Sequence, residues 1–261
     1  MIDKTRLGIS FFDQRYGGIH RKRAALCTGR HGSGKTLVAL QALVQSVHEG
    51  ERGLMLSAWR AQDLAAAAAK MGLPLSAAIA KGQVILLEYA QLITAPELEK
   101  NLTLPPGSFM EFQDIVESHG VSRVVIDTVL PWVAIPQEDR LARHVYSFIQ
   151  AIERMGVTAL LTLPKPASAL AFALKSRLEE QVPVVFTLDV DGNGRHTLLL
   201  NKYLGESNLP PPVPFILAPG VGILRAPKVV RAPPPGTAAP ATSAPQPAGN
   251  QPIRFASAFK T

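Results

Sequence analysis

Gly29-Arg30-His31-Gly32-Ser33-Gly34-Lys35-Thr36 decides the fold of this 261-residue chain. The stretch fits the pattern G-x-x-x-x-G-K-[ST], in which glycines let the backbone wrap closely around a phosphate. The apolar run AALCTG (24–29) before it predicts a buried strand, and apolar residues from Leu37 to Val47 recur after it at helical spacing. The pattern requires a strand on one side and a helix on the other, so this context favours a phosphate-binding loop over a chance glycine-rich turn.

Each residue type in the loop has a role in binding a nucleotide. Backbone N–H groups point at phosphate oxygens, and the helix that follows adds the positive partial charge of its N-terminus. Lys35 is placed to neutralise charge on the β- and γ-phosphates, which makes it a candidate catalytic residue, and the Thr36 hydroxyl is placed to ligate Mg²⁺. His31 is interpreted as a loop residue rather than as a base. The predicted nucleotide-binding residues are Gly29, Arg30, His31, Gly32, Ser33, Gly34, Lys35 and Thr36.

A second nucleotide-binding element follows about ninety residues later, in RVVID (123–127). This apolar run predicts a strand that ends in a carboxylate. At the carboxyl end of such a strand, Asp127 would hold Mg²⁺ through water, together with Thr36. Many buried strands end in Asp by chance, so the assignment depends on the phosphate loop upstream. The predicted metal residues are therefore Thr36 and Asp127.

The remainder of residues 1–225 alternates apolar strands with helical patterns, which indicates an α/β fold with a mainly parallel sheet. Ser108 and Glu111 form a capping box for a helix that ends near Gly120. The predicted parallel strands, besides those above, are GLMLS (53–57), VILLEY (84–89) and TALLTL (158–163). Two further strands, VPVVFTLDV (182–190) and HTLLLNKY (196–203), predict an antiparallel hairpin, and a last short strand is expected at 214–224.

The composition changes near residue 226. The segment from Pro227 to Pro252 contains eight prolines and few large apolar residues, so it cannot bury enough surface to offset the entropy of ordering. Residues 226–261 are therefore predicted to be a basic, disordered tail. Within it, residues 253–260 carry Phe255 and Phe259 at helical spacing, which suggests a docking peptide for a protein partner; the alternative is a free terminus with two incidental phenylalanines.

Composition narrows the functional classes. A single cysteine excludes an intrachain disulfide framework. The charged N-terminal stretch lacks the apolar segment of a secretory signal, and no apolar run is long enough to span a membrane, so we expect a cytoplasmic protein with no membrane partner. The net charge of +7 falls mostly in the tail, and it suits DNA or an acidic partner without establishing either.

Over nearly all of residues 5–225 the sequence resembles the KaiC branch of the RecA-like ATPases. Thr5–Asp13 with Gly17-Gly18-Ile19 is similar to that family's lead-in, T-G-x-x-x-L-D…G-G-x-P, and Asp127-Thr128 is similar to its D-S pair. Gly194–Gly205 resembles the hairpin that carries the family's K-x-R-G. The resemblance implies a RecA-like P-loop fold that binds ATP with Mg²⁺ between subunits of a ring or filament. It also makes Lys202, which matches the family's trans-acting lysine, a candidate catalytic residue.

Two departures from the family pattern bear on hydrolysis. Trp59 and Arg60 stand where the family places acidic residues that orient the attacking water, and neither can act as a carboxylate base. Glu88 could substitute, although an ordinary strand-end carboxylate is the alternative. In the hairpin, Leu204 replaces the family's arginine. Lys202 remains, with a solvated surface lysine as its alternative interpretation.

The sequence therefore supports three functional hypotheses. The first is an ATP·Mg²⁺-binding RecA/KaiC-like ATPase homologue with weak or absent hydrolysis, acting as a homo-oligomeric regulatory or assembly switch. The second is a DNA-repair or recombination accessory protein, a RecA paralogue that binds DNA or a polymerase complex. The third is a scaffold in which the nucleotide is structural.

Overall fold

A nine-stranded sheet, with the strand that leads into the phosphate loop at its centre, organises the computed structural model of the chain. The structure describes residues 3–89, 106–135 and 138–227. The chain divides into two units, Met1–Ala226 and Pro227–Thr261, and all elements below belong to the first. The predicted tail, 226–261, and its docking peptide, 253–260, lie outside the described residues except for Ala226 and Pro227, so they stay predictions.

Strands and helices alternate along most of the chain. The strands are β1 (Lys4–Thr5), β2 (Ile19–His20), β3 (Ala24–Gly29), β4 (Gly53–Ser57), β5 (Val84–Glu88), β6 (Arg123–Asp127), β7 (Thr158–Pro164), β8 (Val184–Val190), β9 (His196–Tyr203), β10 (Val213–Ala218) and β11 (Gly222–Arg225). The helices are α1 (Ser10–Tyr16), α2 (Lys35–His48), α3 (Ala61–Lys70), α4 (Leu75–Ala80), α5 (Pro106–Ser118), α6 (Leu130–Val133), α7 (Glu138–Arg154) and α8 (Ala169–Gln181).

The large sheet has the strand order β11-β10-β9-β8-β3-β7-β6-β4-β5, and β1 and β2 pair separately. The six strands from β8 to β5 in this order run parallel, whereas β9, β10 and β11 each pair antiparallel with the preceding strand. This confirms the predicted mainly parallel sheet with an antiparallel C-terminal hairpin. The register pairs Ser57 with Asp127 and Gly29 with Pro164, so the carboxyl ends of β4, β6, β3 and β7 meet at one edge.

Two apolar cores cover the faces of the sheet. On one face, α1, α2, α3 and α4 pack against alternate residues of the strands; on the other, α5, α6, α7 and α8 pack against the intervening residues. Strands buried on both sides are mainly apolar, as is typical of parallel strands. Among the described residues, no helix combines the length and the apolar character needed to cross a membrane.

Two local predictions were wrong. Ser108 lies inside α5, which already runs from Pro106, so Ser108 is not the N-cap of a capping box. A proline is well suited to the first turn of a helix because its missing N–H would have no intrahelical partner there. The single strand expected at 214–224 is a hairpin, β10 and β11, because Pro219 and Gly220 interrupt it and Gly220 adopts a positive φ of 77°.

A backbone contact holds the turn of this hairpin against the C-terminal end of α3. Gly220 in the turn between β10 and β11 donates its N–H to the carbonyl of Lys70, at the end of α3, over 3.1 Å. Gly72, just beyond, has a φ of 73°, and a Cβ there would lie 2.3 Å from the Gly220 carbonyl oxygen. Only glycine therefore allows the two backbones to meet.

We expect Gly72→Ala to destabilise the fold by about 1–3 kcal/mol more than Gly82→Ala, because an overpacked site must shift its neighbours. Both glycines follow a helix and have a positive φ, but a Cβ at Gly82 would meet nothing within 4 Å. Both variants carry the cost of an alanine at positive φ, so the difference between their free energies of unfolding reports the contact with Gly220. Chemical denaturation of the two variants gives the difference in the free energy of unfolding, and equal values would show that the close approach is dispensable.

Candidate functional site

The phosphate loop connects β3 to α2 and depends on two of its glycines. A Cβ on Gly29 would lie 2.3 Å from the Leu188 carbonyl oxygen and 2.6 Å from the Ser33 hydroxyl oxygen, so the loop can turn there only with glycine. Gly34 precedes α2 with a φ of 97°, a left-handed conformation that disfavours other residues. The N–H groups at the start of α2 are thereby directed into the loop.

Lys35 spans the loop. Its ammonium group donates to the carbonyl oxygens of Gly29 and Arg30, each at 2.8 Å, and it forms no ion pair with the described residues. Burial lowers the pKa of Lys35, since the half-buried ammonium is partly removed from water. A cation in this position is stabilised by an incoming anion, which is the property a phosphate site needs.

The two predicted metal residues are in direct contact. The Thr36 hydroxyl donates to one carboxylate oxygen of Asp127 at 2.8 Å, and the Thr162 hydroxyl on β7 donates to the other. Asp127 is buried, with only 6% of its surface exposed. A hydroxyl and a carboxylate held together offer the hard oxygen ligands that Mg²⁺ prefers, so the residues present fit the ion.

An open cleft of about 410 Å³ lies over the loop. Its lining combines the loop with the carboxyl ends of the strands beside it. The lining residues are His31, Gly32, Gly34, Lys35, Thr36, Leu37, Ala58, Trp59, Asp127, Thr128, Thr162, Pro164 and Leu217. The structure therefore brings together Lys35, Thr36 and Asp127 as the sequence predicted.

Three predicted loop residues do not line the cleft through side chains. Gly29 and Ser33 lie beneath it, and Ser33 is fully buried. Arg30 turns away and pairs with Asp189 at the end of β8 over 2.6 Å, a hydrogen bond that lowers the pKa of Asp189. The Arg30 side chain thus braces the outside of the loop, and only its carbonyl contacts Lys35.

Trp59 is the residue that stands at the end of β4, beside the Asp127 end of β6. Its side chain is half exposed (51%) and lines the cleft, whereas Arg60 is the N-cap of α3 and is not among the cleft residues. Glu88 accepts a hydrogen bond from the Ala61 N–H at 2.9 Å, which places its carboxylate at the start of α3. Glu88 is also absent from the lining of the cleft.

Lys202 lies away from this cleft within the chain. It pairs with Val185 on β8, which is level with Leu26 in β3, three residues before the loop begins. Its ammonium donates to the carbonyl oxygens of Glu179 and Glu180, at 2.7 Å and 3.2 Å, near the C-terminal end of α8. Its catalytic role across a subunit interface stays a prediction.

Sequence reasoning missed three residues that support the site. Thr162 fixes the Asp127 carboxylate, His196 at the start of β9 lies with Nδ1 3.3 Å from the Ser33 carbonyl oxygen, and Leu217 on β10 reaches the cleft. A polar residue within the apolar run TALLTL was the one available signal for Thr162. The other two depend on how the antiparallel strands fold back toward the loop.

A parallel sheet with a glycine loop between its central strand and the next helix, and an aspartate at the end of a nearby strand, defines a RecA-like P-loop nucleotide-binding protein. The family model described as "ATPase: KaiC" matches residues 5–217. The chain therefore belongs to the KaiC family of ATPases, as the resemblance implied.

Individual relatives agree with this assignment. The circadian clock oscillator protein KaiC of Thermostichus vulcanus is 23% identical over 221 residues, which cover 82% of this chain and 42% of that protein. The protein of the same name from Parathermosynechococcus lividus is 24% identical over 226 residues, covering 83% and 41%. The chain thus spans about two fifths of the length of these relatives.

A solved structure agrees with the fold. The crystal structure of a KaiC-like protein from the hyperthermophilic archaeon Pyrococcus horikoshii OT3 superposes with a TM-score of 0.70 at 22% identity. The superposition covers 87% of this chain and 100% of the archaeal chain.

We expect an adenine nucleotide to change the fluorescence of Trp59, because the exposed indole lines the cleft while Trp132 is only 5% exposed. Titration of the chain with nucleotide should give a saturable change in emission that disappears in Trp59→Phe. Trp132 remains in that variant as an internal reference. A nucleotide-dependent signal of full size in Trp59→Phe would show that the indole does not report on this cleft.

Proposed function

We propose that the chain binds ATP with Mg²⁺ in the cleft over the phosphate loop and hydrolyses it slowly. The contact between Thr36 and Asp127 beside the ammonium of Lys35 carries the proposal, because it unites one cation and two oxygen ligands at the end of a glycine loop. Lys35 and the loop N–H groups would hold the phosphates, while Thr36 and Asp127 would hold Mg²⁺. The ion would supply charge neutralisation at the phosphates.

Slow hydrolysis is proposed because the described residues supply the cleft with a single carboxylate. Among the described residues that line it, Asp127 is the only acid, and two threonine hydroxyls already occupy its oxygens. Trp59 presents an apolar wall where the family places acidic residues. An enzyme that does not position water loses turnover more than binding, so nucleotide affinity would persist.

A slow ATPase of this kind is suited to act as a switch. A long-lived ATP state can favour one assembly or conformation over another by its binding energy alone. We therefore propose a regulatory or assembly role, exerted as a homo-oligomer. Several relatives are named circadian clock oscillator proteins, but this chain spans only about two fifths of their length. We therefore propose a nucleotide-dependent switch and do not extend a timing function to this chain.

Lys35→Ala should weaken ATP binding by at least about tenfold, since it removes a charge-assisted contact worth about 1.5–3 kcal/mol. Lys165→Ala is the matched control, because Lys165 follows β7 next to the loop but does not line the cleft. Isothermal titration calorimetry with ATP and Mg²⁺ measures both. A wild-type chain without affinity in the millimolar range or better would contradict the proposal.

Trp59→Glu should raise the rate of ATP hydrolysis, because it places a carboxylate on the wall of the cleft beside the end of β6. Arg60→Glu also introduces a carboxylate, one residue further on and outside the cleft, and should raise turnover much less. Phosphate release at saturating ATP measures both variants against the wild type. A wild-type turnover near about 1 s⁻¹ or above would mean that Trp59 does not limit the reaction.

Light scattering should show self-association that increases with ATP and Mg²⁺. If Lys202 acts across the interface, Lys202→Ala should lower turnover in the oligomer while leaving ATP affinity unchanged. Because this lysine also binds the end of α8, thermal unfolding of the variant must be compared with Lys175→Ala, a lysine within α8. A chain that stays monomeric under all conditions would remove the trans role.

The recombination and scaffold hypotheses predict different responses to DNA and to ATP. Binding of single-stranded DNA that weakens steeply with salt, together with DNA-stimulated hydrolysis, would favour a recombination accessory protein. Capture of a partner that is the same with and without ATP would favour a scaffold. The switch hypothesis requires assembly that depends on nucleotide and is indifferent to DNA.

A further inference from the structure

We propose that the chain has a second ligand site, for a small apolar molecule that ends in a carboxylate. A cleft of about 300 Å³ lies between α1, β9 and the segment that leads into β10, and we call it the Arg15–Arg225 cleft. Its lining comprises Phe11, Phe12, Arg15, Tyr16, Leu198, Leu200, Pro210, Pro211, Pro212, Val213 and Arg225. It shares no residue with the nucleotide cleft, and its volume lies at the lower end of the range for small-molecule sites.

The interior of this cleft suits an apolar body. Aromatic and aliphatic side chains supply most of the lining, and Phe12, Leu198 and Leu200 also belong to the apolar core beneath it. Three consecutive prolines, 210–212, form one wall without a single backbone N–H donor. A polar ligand would lose its water here without replacement, whereas an apolar chain gains by burial.

The charged side chains of this cleft are both cations. Arg15 and Arg225 are exposed, and neither guanidinium forms an ion pair or a hydrogen bond with the described residues. The Arg15 guanidinium lies over the Tyr16 ring, 5.5 Å from its centroid. Both arginines also line a shallower cleft next to this one with Ser10, Phe11 and Gln14, so the two arginine residues lie where the clefts adjoin. Among the residues that the structure describes, no carboxylate lines either cleft, so no acidic side chain there offsets the two positive charges.

The nearest acid along the chain is already engaged. Asp13, also on α1, accepts hydrogen bonds from the N–H groups of Leu7 and Gly8, each at 2.8 Å, and is turned toward that loop. Guanidinium groups bind carboxylates through paired, directional hydrogen bonds. A ligand carboxylate at the mouth would therefore find two guanidinium groups that have no acidic partner among the described residues, and the contact of Arg15 with the Tyr16 ring leaves its N–H groups able to donate.

Tyr16 adds its aromatic ring to the apolar lining of the cleft. Tyr16 lines the cleft and is 8% exposed, and its hydroxyl is buried without a hydrogen-bond partner among the described residues. By contrast, the hydroxyl of Tyr203, whose ring packs on that of Tyr16, binds two backbone carbonyls. Because the Tyr16 hydroxyl is buried rather than exposed in the cleft, a ligand there would contact the ring and not the hydroxyl.

Octanoate is the probe for this site, with octanol as its neutral analogue and octyl phosphate as the other anion that arginine favours. Isothermal titration of the full chain should show one saturable site for octanoate, of about millimolar affinity or better. Octanol should bind at least about tenfold more weakly, since it cannot form the charge-assisted hydrogen bonds.

Variants then assign the site. Arg15→Gln and Arg225→Gln should each weaken octanoate binding by about tenfold or more, and both are surface changes that leave the core intact. Arg140→Gln on α7, which packs on the opposite face of the sheet, is the matched control and should bind as the wild type does. Phe11→Ala should weaken octanoate and octanol alike.

Several results would overturn the proposal. They are the absence of saturable octanoate binding, equal affinity for octanol, and binding unchanged in both arginine variants. Tighter binding of octyl phosphate would replace the carboxylate by a phosphate monoester. Loss of self-association in the arginine variants, without octanoate binding in the wild type, would assign the cleft to a second copy of the chain. Octanoate titration of Lys35→Ala keeps these outcomes independent of nucleotide binding.

Discussion

Side-chain contacts join the α2 helix to the β6 strand at both ends of the strand, and the geometry of the candidate nucleotide site depends on these two contacts. At one end the Thr36 hydroxyl of α2 binds Asp127, the last residue of β6. At the other end Glu51, just after α2, binds Arg123, the first residue of β6, at 2.8 Å. The same guanidinium also donates to Thr5 in β1 and to the Arg6 carbonyl oxygen, which ties the N-terminal lead-in to the pair.

The contact at Arg123 is made by ion pairs, whereas the contact at Asp127 is made by hydrogen bonds to neutral hydroxyl groups. Arg123 is fully buried, so its charge is stabilised only by Glu49, Glu51 and nearby oxygens, and removal of one partner of such a buried group typically costs about 3–5 kcal/mol. Asp127 is held by neutral hydroxyls instead, at the edge where the cleft opens. The ion pairs therefore fix the distant end, whereas at the cleft the proposed Mg²⁺ would compete only with neutral hydroxyls for the carboxylate.

The sequence predicted the site residues that lie in contiguous strands, loops and helices. It missed the residues that reach the site from strands far along the chain. The loop glycines, Lys35, Thr36 and Asp127 were predictable because strand, loop and helix are contiguous and parallel strands align their carboxyl ends. Ser108 was misassigned because Pro106 and Ser108 both carry helix-start signals, and only packing decides between them. Thr162, His196 and Leu217 reach the loop from strands far along the chain, where pattern alone gives no distance. The carboxyl-end position of Trp59 was predictable, but that Trp59 and not Arg60 faces the cleft was not.

The meeting of Gly72 and Gly220 has a mechanical consequence. Two backbones in contact have no side chain between them that could rearrange and absorb a displacement. The α3 helix runs from just after Trp59 to just before Gly72, and the turn at Gly220 follows directly on the strand that carries Leu217. The Trp59 indole and the Leu217 side chain, which both line the cleft, are thus connected through α3, the contact between Gly72 and Gly220, and β10. We expect a displacement of one of these side chains to be transmitted to the other along this path.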